Sequence, residues 1–144
     1  MSKREDVSGW NARYSKNRFR GQNGSQGSNV FPLEGQYVSK TILFSDGTGN
    51  HDTASTIPAD ATIEGVGLVL TDVFDAGTTI TCGKTTAATY LCDGTVFDIV
   101  TAPGSFYETV EKAWTATATV ARAVLINGGG VTIGSLVITY YYTV

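Results

Sequence analysis

The sequence predicts an all-β protein: a single antiparallel β-sandwich, jelly-roll-like in form, with an extended N-terminal arm. The composition is poor in Leu and rich in Thr, Val and Gly, which favours strands and turns over helices. Seven or eight short segments of strand character follow residue 30, and turn signals separate them at short intervals. This part of the chain contains no segment with a helical period, and its length of about 110 residues is enough to close a sandwich.

Turn signals divide this region into strand candidates. Gly-rich or Asp-Gly turns fall at residues 45–50, 75–77, 93–94 and 127–130, and Pro103 marks a further break. The predicted strands lie at residues 37–44, 62–74, 78–83, 88–92, 95–100, 114–126 and 131–144, with residues 106–111 as a candidate of unclear type.

The last strand is apolar on both of its faces. One face is formed by Leu136, Ile138, Tyr140, Tyr142 and Val144, and the other by Val137, Thr139, Tyr141 and Thr143. Such a strand is central in its sheet or is covered by another subunit. We therefore predict that Tyr140 and Tyr142 lie at a protein interface. Gly134-Ser135 predicts a bulge, because Val131 and Ile133 are out of phase with Leu136.

Charge is distributed unevenly along the chain. Residues 1–20 carry six basic and two acidic side chains, a net charge of +4. Residues 21–144 carry four basic and eleven acidic side chains, a net charge of −7. A basic segment on an acidic body predicts that the segment has a partner of its own. Four net charges are few for nucleic acid, because affinity rises with each phosphate neutralised, so we expect an acidic protein surface.

The first 30 residues are predicted to be an arm, and residues 31–144 the sandwich domain. Residues 21–29 contain only Gly, Gln, Asn and Ser, which is typical of a flexible tether. Before the tether, three aromatic residues alternate with basic ones at intervals of four and five, which suits one face of a short helix. Aromatic and Arg side chains anchor interfaces well. The predicted interface residues of this anchor are Trp10, Arg13, Tyr14, Arg18, Phe19 and Arg20. The alternatives are a solvated tail with incidental aromatics and an arm that binds nucleic acid.

The sequence contains little that suggests catalysis. The single histidine, His51, falls in a polar segment, where a lone histidine is usually solvated. No general base is in evidence to activate a Ser or Cys nucleophile. Residues 46–52 offer oxygen atoms at alternating positions but lack the distal Glu of a calcium loop. We therefore predict no enzyme, no cofactor and no metal site, and we interpret residues 46–52 as a turn.

Two cysteines, Cys82 and Cys92, are ten residues apart and could face each other across a hairpin. Two thiols are too few for a zinc site. A reducing compartment favours buried thiols over a disulfide, and the sequence leaves both alternatives open. The N-terminus is charged and no apolar run follows it, so we expect a protein made in the cytoplasm without a membrane partner.

Two stretches resemble a pattern found in small β-sandwich structural proteins of tailed bacteriophages. Residues 56–83 contain an Ile-Pro-Ala entry, a long apolar strand and the turn Phe-Asp-Ala-Gly-Thr-Thr, with Asp60 where the pattern has Gly. Residues 128–141, Gly-Gly-Gly-Val-Thr-Ile-Gly-Ser-Leu-Val-Ile-Thr-Tyr-Tyr, are similar to the closing strand of the same group. The resemblance covers roughly residues 40–144 and leaves the arm out.

The resemblance implies a virion component such as a capsid decoration (cement) protein or a head-fibre protein. A decoration protein would lie on the capsid surface, bind the major capsid protein and, by analogy with such proteins, form a homotrimer. Clustered copies gain avidity, and an arm can add contact area to a small body. Two alternatives stay open: a tail or fibre module that binds a receptor or glycan, with residues 106–107 or Trp114 as candidates, and a small jelly-roll coat protein whose arm binds the genome.

Overall fold

The structure, a computed structural model, describes residues 36–144. Eight strands account for most of this part of the chain. They are β1 (Gln36–Leu43), β2 (Gly49–Asp52), β3 (Thr62–Asp72), β4 (Thr79–Lys84), β5 (Ala87–Cys92), β6 (Gly104–Ala113), β7 (Arg122–Ile126) and β8 (Ser135–Thr143). A single 3₁₀ turn, Phe44–Asp46, separates β1 from β2. The predicted arm and the predicted domain boundary after residue 30 lie outside the described residues.

The strands form two four-stranded antiparallel sheets. Sheet I has the strand order β1-β8-β3-β6, and sheet II has the order β2-β7-β4-β5. Consecutive strands mostly lie in different sheets, so the chain crosses repeatedly from one layer to the other. This arrangement of eight strands in two sheets is that of a jelly roll. The predicted all-β sandwich is therefore confirmed, as is the central position of the last strand, which lies between β1 and β3.

One hydrophobic core fills the space between the sheets. Sheet I contributes alternate residues of β8 together with Ile42 of β1 and Leu68 of β3, while sheet II contributes Ile80 of β4 and Leu125 of β7. The alternation arises because successive side chains of a strand point to opposite faces. Trp114, named above as a candidate of the receptor-binding alternative, is also buried in this core.

Two predicted strands are wrong in whole or in part. Residues 95–100 form a loop, in which the Asp98 carboxylate accepts hydrogen bonds from the backbone N–H groups of Val100 and Thr101. The loop is nonetheless buried, because Phe97 and Ile99 enter the core. Residues 114–121 are also irregular, and β7 begins only at Arg122.

The segment before β7 is held by the chain that precedes β3. The backbone N–H of Trp114 donates to the carbonyl of Ala61 at 2.7 Å, and Ile57 and Thr119 exchange two backbone hydrogen bonds. These contacts satisfy the backbone without a regular ladder. Asp60, which stands where the phage pattern has Gly, adopts a left-handed φ of 60°. Glycine tolerates that conformation best, which explains its place in the pattern.

A third correction concerns residues 46–52, predicted as a turn. Gly49–Asp52 forms β2, and the His51 side chain is buried rather than solvated. The His51 ring nitrogen Nε2 lies 2.9 Å from the carbonyl oxygen of Gly47. Because a carbonyl oxygen only accepts, Nε2 carries a hydrogen and donates this hydrogen bond. Gly134, where a bulge is predicted, precedes β8 with a φ of 131°, and its Cα lies against the Phe74 ring. The pairing irregularity beside Ser135 falls in β3, between Leu70 and Asp72.

Candidate interaction surface

The two interface tyrosines predicted in the body lie inside the domain. Tyr140 is completely buried and Tyr142 is 7% exposed, both on the face of β8 that packs against sheet II. Burial raises the pKa of the Tyr140 phenol well above its ordinary value. The apolar character of this face is therefore accounted for by the domain's own core, and an interface role for the two residues stays a prediction. The arm residues Trp10 to Arg20 lie outside the described residues.

The opposite face of sheet I points away from the core and carries an uncharged surface. Three positions on each of the four strands share this side. They are Tyr37, Ser39 and Thr41 on β1; Val137, Thr139 and Tyr141 on β8; Gly65, Gly67 and Val69 on β3; and Ser105, Tyr107 and Thr109 on β6. We call this set the outer face. Charged residues are depleted and tyrosine is enriched at the centres of protein interfaces.

Three tyrosines form a cluster at one end of the outer face. The rings of Tyr37 and Tyr141 meet edge to face with centroids 6.1 Å apart, and those of Tyr141 and Tyr107 are tilted at 5.9 Å. Both separations lie in the range in which aromatic rings attract each other. Tyr37 is 59% exposed, so the cluster presents an aromatic surface to solvent. We call these three residues the tyrosine cluster.

A glycine in β3 makes room for the cluster. A Cβ atom at Gly65 would lie 2.2 Å from the hydroxyl oxygen of Tyr107 and 2.8 Å from the backbone oxygen of Glu108. The Tyr107 ring therefore lies directly over the backbone of the central strand. A β-bulge interrupts the pairing of β3 between Ile63 and Gly65. Gly65 thus leaves the space on β3 that an aromatic side chain of β6 occupies.

Acidic side chains flank the cluster. Burial is the largest cause that raises the pKa of Tyr107, followed by the negative charge of Glu64, the neighbouring Tyr141 and the charge of Glu111. Burial also raises the pKa of Tyr141, and Tyr37 adds to this shift. The Tyr107 and Tyr141 phenols are neutral at physiological pH, since their raised pKa values lie above a reference near 10. Aromatic faces beside carboxylates favour a cationic partner.

The far end of the outer face opens into an apolar groove of about 580 Å³. Leu43, Phe44 and Ile133 line it and are each more than two-fifths exposed. Asp72 is the acidic residue in its wall. The groove therefore adds exposed apolar side chains at this end of the sheet, beside one carboxylate.

The outer side of sheet II has a different chemistry. Since His51 faces the core, Asp52 beside it faces outward and pairs with Arg122 of β7. Arg122 Nε lies 2.7 Å from Oδ1 of Asp52, and its Nη2 lies 3.0 Å from Oδ2. The hydrogen bonds from Arg122 are the largest cause that lowers the pKa of Asp52, although desolvation opposes them. A bidentate ion pair is a usual feature of a solvated surface.

The cysteines face each other as two thiols. Cys82 of β4 and Cys92 of β5 are direct cross-strand partners, both buried and both free. The thiol–thiol hydrogen bond, with desolvation second, raises the pKa of Cys82 well above its ordinary value. Buried thiols of this kind are inert.

The carboxylates of the predicted turn are engaged in structural contacts. Asp46 accepts a hydrogen bond from the backbone N–H of Leu43 at 2.9 Å, and Asp52 holds Arg122. Among residues 36–144, no group of three or more His, Cys, Asp or Glu side chains is placed to hold a metal ion. No helix in the same range is long and apolar enough to span a bilayer.

Sequence reasoning found both faces of β8 and predicted an interface on the face of Tyr140 and Tyr142, which the structure buries in the domain core. The face of Tyr141 had the clearer sequence signal of an exposed surface. Threonines share this face on β8, and the neighbouring β3 has glycines at residues 65 and 67. The tyrosines of β1 and β6 could not be placed beside Tyr141 without the strand order, because they lie far apart in sequence.

Comparisons with known proteins give one informative likeness. No protein-family model matches the chain, and no curated protein sequence matches it. A chain of a solved structure described as "Cyanophage Pam1 capsid asymmetric unit" superposes with a TM-score of 0.52 and 16% identity. The match covers 84% of this chain and 94% of that chain. At this identity the likeness establishes a shared fold with a chain of that phage capsid.

Proposed function

We propose that the protein is a non-catalytic virion structural protein, and specifically a capsid decoration (cement) protein that binds the major capsid protein through its body and its N-terminal arm. The observation that carries the proposal is the shared jelly-roll fold with a chain of a phage capsid. The strand-and-turn pattern of residues 56–83 and 128–141 supports it independently, because it resembles phage structural proteins.

The surface chemistry of the domain supports a binding role. The outer face is broad, uncharged and rich in Tyr, Thr and Val, as a surface covered by another protein is expected to be. Three described carboxyl groups have a lowered pKa: Asp52, Asp93 and Asp98. In each, the largest cause is a hydrogen bond that holds local structure. These shifts are structural in origin and leave those carboxylates without the raised pKa that suits a general acid.

The proposed assembly is a homotrimer on the outer surface of the shell. Three copies around a symmetry axis would present three bodies and three arms to the lattice, so that weak individual contacts combine. In this proposal the protein is made in the host cytoplasm and joins the particle there.

The direct test is localisation in purified particles. Cryo-electron microscopy of particles with and without the protein should show additional density on the shell at symmetry-related sites. Particles that lack the protein should lose their contents at a lower temperature. Density confined to the tail or to fibres would instead support the receptor-binding alternative, and an internal position beside the genome would support the coat-protein alternative.

Truncation tests the contribution of the arm. Deletion of residues 1–30 should leave a folded domain, because the described core involves only residues from β1 onward. The truncated protein should fail to enter particles. Normal incorporation of the truncated protein would remove the arm from the proposed mechanism while leaving the shell location intact.

A further inference from the structure

We propose that the tyrosine cluster on the outer face is the docking surface for the basic-aromatic arm, residues 10–20, of a neighbouring copy of this chain. The inference deepens the proposed function, on which it rests, because it names the surface by which copies on the shell are linked. The three lines of support are the aromatic geometry, the charge around it and the length of chain available.

The geometry of the cluster suits arginine and aromatic side chains. Tyr37 and Tyr107 flank Tyr141, so three rings line one edge of the outer face, with the Tyr141 centroid 6.1 Å from that of Tyr37 and 5.9 Å from that of Tyr107. A guanidinium group stacks on the face of such a ring, and a second aromatic residue can extend the row. The arm segment offers three aromatic and several basic residues within eleven positions.

The charges around the cluster select a cationic partner. Glu64 lies at the β3 bulge and Glu111 near the end of β6, and both act on the Tyr107 phenol through their negative charge. The twelve positions of the outer face contain no charged residue. Residues 21–144 carry a net charge of −7, whereas residues 1–20 carry +4. Opposite charge of this kind attracts the two segments and sets the orientation in which they meet.

The length of chain between the arm and the body allows contact with another copy. Residues 21–35 separate the arm from Gln36, where β1 begins. Fifteen residues reach about 50 Å when extended, which exceeds the diameter of about 35 Å expected for a domain of this size. Tyr37 is the second residue of β1, so the N-terminal end of the described chain lies beside the cluster, and the residues that precede it are long enough to reach the same cluster on the next copy. Exchange of arms would link copies around a symmetry axis.

Reciprocal charge reversal in the full-length protein tests the proposal. The face variant combines Glu64→Lys with Glu111→Lys, and the arm variant combines Arg13→Glu with Arg18→Glu. Association of tagged with untagged copies is measured by analytical ultracentrifugation and co-purification. Each variant alone should associate at least about tenfold more weakly than the unaltered protein. An equimolar mixture of the two should recover association, because each then meets a complementary partner.

Matched controls separate the surface from general charge effects. Glu108→Lys makes the same charge change as each single substitution of the face variant, at an exposed position of β6 outside the outer face, and should leave association unchanged. Tyr37→Ser removes an exposed ring of the cluster without a core contact and should weaken association on its own. This variant decides the question if the face variant does not fold, as judged by circular dichroism and its unfolding midpoint.

Several results would overturn the proposal. A mixture that does not recover association would mean that the arm does not bind in trans to this face. A Glu108→Lys effect equal to that of the face variant would reduce the contact to non-specific attraction. Unchanged association in Tyr37→Ser would remove the cluster from the interface. These outcomes are independent of the proposed function, which fails if the protein is absent from the shell even when copies exchange arms in solution.

Discussion

Tyr140 and Tyr141 are neighbours in sequence, yet they serve opposite surfaces of the same sheet. Tyr140 is fully buried against sheet II, while Tyr141 lies on the outer face between Tyr37 and Tyr107. Because side chains of a strand alternate, one residue of backbone separates a side chain of the core from a side chain of the proposed docking surface. The comparison teaches that an aromatic run in a strand has to be divided between its two faces before any role is assigned.

Truncation of the two tyrosines should separate stability from association most clearly. Tyr140→Ala leaves a cavity in the core and should lower the free energy of unfolding by about 3–5 kcal/mol. Tyr141→Ala removes two ring contacts on the outer face and should lower it by about 1 kcal/mol. Urea denaturation measures both values, and sedimentation measures association. Equal destabilisation by the two substitutions would contradict the division of β8 into a core face and a recognition face.

Substitution of the glycine beneath Tyr107 should disturb the outer face from below. Gly65→Ala places a Cβ against the Tyr107 hydroxyl and the backbone of Glu108, which cannot rotate away. We expect a loss of about 1–3 kcal/mol in the free energy of unfolding, as for an overpacked site. Gly128→Ala is the control, because nothing lies within 4 Å of its added Cβ. A Gly65→Ala protein as stable as the control would show that Tyr107 does not rest on β3.

The division between faces also shows how far the sequence could predict the structure. Alternation in residues 136–144 identified both faces, and the turn signals located β1, β3, β4, β5 and β8 to within a few residues. When both faces are apolar, however, alternation cannot tell which is covered by the second sheet and which by another chain. That decision depends on the strand order, which brings Tyr37 and Tyr107 beside Tyr141.

The wrong strands have a related cause. Residues 95–100 have strand-like composition, but the Asp98 side chain takes over two backbone N–H groups that a ladder would have used. Phe97 and Ile99 can bury their side chains without a regular strand. The backbone N–H of Phe74 donates a hydrogen bond to the Ile99 carbonyl at 2.8 Å. Side-chain capping and long-range backbone contacts of this kind have no periodic signature in the sequence.

The ion pair on the outer side of sheet II should make a pH-dependent contribution to the free energy of unfolding. Because hydrogen bonds from Arg122 lower the pKa of Asp52, its carboxylate contributes stability above the unfolded-state value of 3.8, and this is lost as the pH falls through the lower folded-state pKa. Asp52→Asn should therefore cost about 1 kcal/mol at neutral pH, a modest value because the pair is partly exposed. The difference in free energy of unfolding between Asp52→Asn and the unaltered protein should disappear below about pH 3. Urea denaturation at several pH values measures this difference, and Glu108→Gln is the control. A difference that persists in acid would show that the ion pair is not its cause.

The Tyr140 hydroxyl gives the most delicate test of the core face. Its oxygen is buried without a hydrogen-bond partner among the described residues, and a buried hydroxyl without a partner is destabilising. Tyr140→Phe should therefore leave the free energy of unfolding unchanged or raise it by up to about 1 kcal/mol. The Cys82 and Cys92 thiols lie close enough to affect this phenol. A loss of about 1 kcal/mol would therefore mean that the Tyr140 hydroxyl donates a hydrogen bond to a thiol sulfur. Tyr141→Phe is the matched control, because the Tyr141 hydroxyl lies on the side of β8 that does not pack against sheet II. Urea denaturation of the two variants under the same conditions isolates the effect of the core.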